Sequence, residues 1–294
     1  MRYLHHAAAQ CALPPRDTTD EGSKMRFRIA LGTVMVVALS AVAATGIASA
    51  APGNNYACTG GNWTGDPATS TFTSIPSGNY ASITVTGVCN IAPGAVINVT
   101  GNINVAPGAL LDAQSVTSTI TVGHDVTAGP RSLLLMGCQP PTTIGTQAGV
   151  PCNDNPDGQT VITVNGNITA FHADTVILRK LKVNGNVSLF GGGGDIPWSI
   201  KGNTIGENLT IIDVAADWVG VQFNTISGNA VLIKITSLDP GDPGRTVAVV
   251  ENTVGDNLIC FGLAPGVSPG FIPGETNHVG HIALGQCAAI STRL

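Results

Sequence analysis

Beyond about residue 80 the chain alternates apolar residues with small or polar ones in short runs. Ile162-Thr163-Val164, Asn208-Leu209-Thr210-Ile211-Ile212 and Val219-Gly220-Val221-Gln222-Phe223 are rich in Val, Ile and Thr and are bounded by Gly, Asn, Asp or Pro. That is the pattern of short, half-buried β-strands. No stretch after residue 50 combines a 3.6-residue apolar period with helix formers. The fold class expected is therefore all-β.

The strands recur on a fixed period. Gly101-Asn102-Ile103, Gly166-Asn167-Ile168, Gly185-Asn186-Val187, Gly206-Glu207-Asn208-Leu209, Gly228-Asn229-Ala230-Val231 and Gly255-Asp256-Asn257-Leu258 are copies of one word. Gly123-His124-Asp125-Val126 and Gly280-His281-Ile282 are weaker copies. Successive glycines lie 22, 43, 19, 21, 22, 27 and 25 residues apart. The 43 reads as two periods, and the last two spacings contain Pro/Gly-rich inserts at Ser237–Arg245 and Ala264–Glu275. Self-similarity at this length marks a solenoid, and β content makes it a β-solenoid. A second echo, Val85–Asn98 against Val99–Asp112, has eight identities in fourteen residues. Fourteen and twenty-one share the factor seven, so one side of the coil takes about seven residues and a lap has three sides. The expected architecture is a parallel β-helix, a β-solenoid of about 21 residues per rung over 85–294, with strands stacked ~4.8 Å apart.

Asn203, Asn224, Asn252 and Asn277 occupy one phase of that repeat, each two residues before an Ile or Val. Asparagine bonds readily to the main chain at corners, and stacked copies can also bond to one another. These four residues are expected to form an asparagine ladder, with the repeated glycines as corners.

Composition adds the compartment. The stretch from Ile29 to Ala50 carries no charge, follows Arg26 and Arg28, and ends in Ala48-Ser49-Ala50, the pattern of a signal peptide over 25–50 cleaved after Ala50. A membrane anchor is the rival reading of so long an apolar run. Residues 1–24 read as an extension translated from an upstream start. Export leaves eight basic against fifteen acidic residues, a net charge of −7, and six cysteines: Cys58, Cys89, Cys138, Cys152, Cys260 and Cys287. An acidic chain with few charges is no nucleic-acid binder, and after cleavage it has no membrane span. An even cysteine count suits an oxidising, extracellular or cell-wall setting. Six cysteines allow 15 pairings; chain proximity favours Cys58–Cys89, Cys138–Cys152 and Cys260–Cys287. The irregular segment 51–84 is expected to cap the first rung, and 137–158 to be a stapled loop on the flank.

With its signal peptide, Gly-Asn-Val words and Asn-Thr-Val-Gly corners, the chain resembles secreted bacterial right-handed parallel β-helix proteins of the pectin-lyase-like class. The resemblance implies a right-handed coil, with activity on acidic polysaccharides in some members and none assigned in many. Polygalacturonase-like members carry Asn-Thr-Asp, Asp-Asp, Gly-His-Gly and Arg-Ile-Lys words, whereas here Asn-Thr is followed by Ile or Val and no Asp-Asp occurs. Lyases of the class hold Ca²⁺ on clustered carboxylates beside a Lys or Arg base. Asp174, Arg179, Lys180 and Lys182 could meet Asp195, Lys201, Asp213 and Asp217 across adjacent rungs, or all be solvated outer-face residues. Trp198 and Trp218 share nearly one phase in adjacent rungs, which fits either a sugar-binding platform or an aromatic core stack. His278 and His281 have metal-like spacing, but paired thiols are unavailable as further ligands. The expected function is a noncatalytic secreted or cell-surface scaffold, adhesin-like, whose partner is an extracellular polysaccharide or cell surface and which needs no cofactor. The alternatives are a polysaccharide lyase, with Ca²⁺, or another carbohydrate-active enzyme of the pectin-lyase-like fold, and a carbohydrate-binding module. Sequence leaves the oligomeric state open.

Overall fold

A computed structural model describes residues 53–140, 150–239, 247–269 and 276–294. The expected signal peptide at 25–50 and extension at 1–24 lie outside the described residues, as do parts of the three inserts. Apart from one short 3-10 turn at Gln286–Ile290, the described elements are all strands, and they form a parallel β-solenoid.

The strands stack in three columns. Column one is a nine-stranded parallel sheet that runs from Thr73–Ile75 through Leu133–Met136, Thr175–Arg179, Trp198–Lys201 and Val219–Gln222 to Val267–Ser268. Column two includes Ala95–Val99, Ser118–Val122, Val161–Val164, Thr204–Ile205 and Thr225–Ile226, and ends at Ser291–Arg293. Column three includes Ile103–Val105, Ile168–Phe171, Val187–Phe190, Leu209–Ala216, Ala230–Ser237 and Leu258–Phe261. The strand Gly78–Val85 pairs with both Ala95–Val99 and Ile103–Val105, which merges columns two and three into one nineteen-stranded sheet. Parallel pairing reaches further back than Val85: Asn54–Cys58 lies beside Gly78–Val85. Between these strands, residues 59–72 are mostly irregular and carry one antiparallel bridge, Asn62 to Thr71.

One lap takes about 21 residues: equivalent asparagines lie 21 apart at Asn203 and Asn224 and 22 apart at Asn186 and Asn208. The 43-residue spacing is not two laps. Asp125 and Asn167, 42 residues apart, are on adjacent laps, because Val126 pairs directly with Ile168. The extra residues lie between Met136 and Val161, and those of them that are described add no strand to the ladder. The insert's length happens to equal about one period, so spacing alone could not distinguish the two. The fourteen-residue echo is two sides of one lap: it superimposes the turn Ala92-Pro93-Gly94-Ala95 on Ala106-Pro107-Gly108-Ala109. In each, the first alanine's carbonyl accepts the last alanine's N–H, at 3.1 and 3.0 Å. Proline presets the second position, while Gly94 and Gly108 take φ of 69° and 73°, which only glycine adopts without strain.

The bore is filled by one side chain per lap in each inward row. Val99, Val122, Val164, Val183, Ile205, Ile226, Val254 and Val279 are successive partners in column two, and all are buried. Each such side chain contributes roughly 1.5–3 kcal/mol by leaving water. Three disulfides reinforce the coil, in the pairing that chain proximity favours. Cys58–Cys89 ties the first laps, Cys138–Cys152 closes the flank insert, and Cys260–Cys287 holds the final 3-10 turn under column three. Cα separations of 6.4, 5.2 and 5.5 Å sit in the usual range.

The asparagines at 203, 224, 252 and 277 are buried and form the expected ladder. Each Oδ1 from Asn224 to Asn277 accepts both the backbone N–H (3.0–3.1 Å) and the Nδ2–H (2.9 Å) of the asparagine one lap before it. The other Nδ2 proton goes to the column-one carbonyls of Leu178, Ile200, Val221 and Val249 at 2.8–2.9 Å. The main-chain N–H of Leu181 supplies the bond at the first Oδ1. With Asn277 giving its remaining Nδ2 proton to the Ile290 carbonyl at 3.1 Å, every amide donor is used, as are both acceptor lobes from Asn224 to Asn277, in a core where an unmade bond costs ~1–3 kcal/mol.

Asn224→Ala strands the Ile200 carbonyl and the donors of Asn203, so urea unfolding should show a loss of about 3 kcal/mol or more. Asn208→Ala, at a half-buried corner that water can reach, should lose only about 1 kcal/mol. Equal losses at the two positions would mean that burial of the ladder is not what makes it matter.

Candidate functional site

The three columns present three different outer faces. On column one the outward row Ser199, Gly220 and Ala248 is buried. A second apolar cluster explains part of this cover: Val88, Leu110 and Leu133 pack under Trp63, Phe72 and Ile196. Trp218 lies over the same face, with its ring across its own lap's Gly220. A Cβ at Gly220 would fall 2.1 Å from the Trp218 Cη2 atom.

The next outward position on column one carries Arg179, Lys201 and Gln222 on successive laps. Arg179 Nε donates to Ser199 Oγ at 3.3 Å. Two cations one lap apart and partly withdrawn from water disfavour their own charge. Burial lowers Arg179 to about 10. Burial, and then the Arg179 charge, lowers Lys201 to about 8. This pair is the part of the expected charged cluster that the fold brings together.

The remaining members do not converge. Asp174 and Asp217 sit at the corner between columns three and one, with the Gly194 lap between them. Burial raises the Asp174 carboxyl, against a smaller opposing pull from Arg131. Asp213 is exposed on column three in a left-handed conformation, φ 63°. Among the described residues no three His, Cys, Asp or Glu side chains are grouped as metal ligands. His278 Nδ1 lies 3.1 Å from Thr292 Oγ1, and His281 Nδ1 lies 3.6 Å from the Asp256 carboxylate, so the two histidines face different partners.

The two-indole outer platform is not formed. Trp198 is wholly buried in the main core, and its Nε1–H donates to the Asp174 carbonyl at 3.0 Å. Trp218 is half-buried on the other side of the sheet. The two share a lap phase but differ by one position in strand register, since Trp198 pairs with Val219. A one-residue offset sends a side chain to the opposite face.

Column two offers a feature the sequence reading did not use. Thr121, Thr163, Thr204, Thr225, Thr253 and Thr292 lie in one outward row, with Asn98, Lys182 and His278 at its other positions. Each of these residues is exposed or half-exposed. The row presents a hydroxyl, amide, amine or imidazole group every lap, ~4.8 Å apart. Its signal was the Thr of the Asn-Thr-Ile/Val words, which alternates with the inward Ile or Val.

No family model, curated protein or solved structure matches the chain.

Lys201 sets a pH dependence. Below about 8 it is protonated in both folded and unfolded chains, and the fold bears the cost of a half-buried charge. Between that value and its ordinary 10.5 the unfolded chain binds the proton and the folded one does not. Stability therefore rises with pH across the window. Denaturant midpoints measured from neutrality to just below the tyrosine range should climb in the wild type and flatten in Lys201→Met. A wild-type midpoint that falls over this interval would contradict the assignment.

Proposed function

We propose that this protein is a noncatalytic secreted or cell-surface scaffold that binds an extended extracellular polysaccharide along its length. The observation that carries this reading is the threonine row of column two. A rigid sheet repeats one polar side chain per lap, threonine on most of them, and hydroxyl and amide rows suit a polymer that offers hydrogen-bonding groups at short regular intervals. The ladders and disulfides hold the row in place before binding, so little ordering entropy opposes association. Three disulfides fit an oxidising environment, and the sequence pattern of a signal peptide over 25–50 supports secretion. The resemblance of the repeat words to the pectin-lyase-like class supports the same ligand chemistry by analogy of architecture alone.

A second reading, a polysaccharide lyase, is favoured by Arg179 and Lys201. A lysine lowered to about 8 beside a guanidinium is a serviceable base near neutral pH and a docking point for a uronate carboxylate.

One experiment separates the two. The protein is sedimented with insoluble neutral and uronate-rich polysaccharides, with and without Ca²⁺, while soluble unsaturated products are followed by ultraviolet absorbance. The scaffold reading expects retention without product, and retention weakened by about tenfold in Thr204→Val/Thr225→Val/Thr253→Val with thermal stability unchanged. Valine keeps the branched shape and removes only the hydroxyl. Product formation that is lost in Lys201→Met would replace the scaffold by the lyase, and no retention on any polymer would refute both.

A further inference from the structure

The outer face of column three carries an apolar stripe. Phe171, Phe190, Ile212, Ile233 and Phe261 are direct partners on successive laps and point away from the bore. Phe171 is 53% exposed and Phe261 50%. Five laps span four sheet spacings, so the stripe is ~19 Å long. Its relief is low, because glycines make room for the aromatic rings. A Cβ at Gly285 would lie 2.9 Å from the Phe261 ring, and one at Gly191 would lie 2.4 Å from His172. Single exposed apolar residues need no explanation, but a continuous row of five in register does.

The residues that follow the stripe say what fits it. On successive laps these are His172, Gly191, Asp213, Lys234 and Gly262, all with φ between 51° and 67°. Asp213 and Lys234 are exposed, and among the described residues no ion pair joins them. Stripe and charges together read nearly the same from either end. About a point between the laps of Ile212 and Ile233, Ile212 maps onto Ile233 and Phe190 onto Phe261. The same operation maps Asp213 onto Lys234 and Gly191 onto Gly262. A two-fold axis along the strand direction through that point keeps each column opposite itself and reverses the order of laps. This is the self-complementarity of an isologous interface.

We infer that the occupant of this face is a second copy of the same chain, packed face to face with its solenoid axis antiparallel. Phe190 meets the partner's Phe261, Ile212 meets the partner's Ile233, and each Asp213 pairs with the partner's Lys234 across the axis. The stripe is narrow beside the ~800 Å² per partner of a standard interface, so the dimer is weak and reversible.

Sedimentation velocity and equilibrium on the disulfide-intact protein, over a wide concentration range, test this. The wild type should show a monomer–dimer equilibrium. Asp213→Lys and Lys234→Asp each set like charges opposite one another and should each weaken dimerisation by about tenfold. The double variant Asp213→Lys/Lys234→Asp should recover it, because the swap restores opposite charges across the axis. Both positions are exposed, and melting temperatures of all three variants serve as the folding control. Ile233→Ser should also shift the equilibrium to monomer. A wild type that stays monomeric to roughly 1 mM overturns the inference, as do single variants that dimerise like the wild type or a double variant that recovers nothing.

Discussion

Register between laps is the constraint on which the rest of this protein depends. A parallel ladder satisfies backbone groups only if each lap lies squarely on the one before it, and a slip of one residue would turn the core outward. Apolar packing in a bore of Val, Ile and Leu tolerates some sliding. A buried amide does not, because its donors and acceptors must all be met. The column Asn203–Asn224–Asn252–Asn277 therefore fixes register where hydrophobic packing cannot: each amide reaches a carbonyl in the adjoining column and the asparagine on the next lap, or, at Asn277, the Ile290 carbonyl.

A second ladder runs at the corner between columns two and three. Asn167, Asn186, Asn208, Asn229 and Asn257 each donate backbone N–H and Nδ2–H to the residue one lap before, and Asp125 receives the first of these bonds. Its direction is opposite to that of the buried ladder, whose amides donate to the lap that follows. The two rows of amide dipoles thus oppose each other along the axis. A slip that lengthened bonds in one would have to lengthen them in the other as well. The ladder runs on through Asp125, whose backbone N–H donates to Asn102 Oδ1 at 3.0 Å while its carboxylate can only accept.

The coil was legible in the sequence because its cause is periodic. Short alternation gave strands, the Gly-Asn words gave the lap, and the factor of seven gave three sides. The buried ladder could be placed because Asn203, Asn224, Asn252 and Asn277 share a phase with the inward Ile and Val that follow them. Where the reading failed, the missing quantity was strand register or insert length. Spacing could not tell the 137–160 insert from a lap, since loops add length without adding pairing. Trp198 and Trp218 share a phase to within one residue, and one residue decides between core and surface. The Gly-Asn words were read for their glycines, although their asparagines carry the outer ladder. The threonine row and the apolar stripe went unseen because each is assembled from residues about 21 apart, one per lap.

Assigning different tasks to different columns has a further consequence. Column one is closed by Trp63, Phe72, Ile196 and Trp218, so its outer face serves mainly as a second layer of packing. Columns two and three remain open, one hydroxylated and one apolar, and they belong to a single bent sheet. Pairing of two copies through column three would leave the threonine row of column two free on both. A dimer of this kind meets a long polymer with two rows, and the second engagement is intramolecular, so weak single contacts multiply into avidity. The antiparallel arrangement also reverses one row relative to the other. Such a pair would suit polymer chains running in either direction, whereas a catalytic groove on one copy would gain nothing from its partner. Weak self-association and weak polymer contacts would then be parts of one design, in which the rigid coil would convert lap spacing into binding strength.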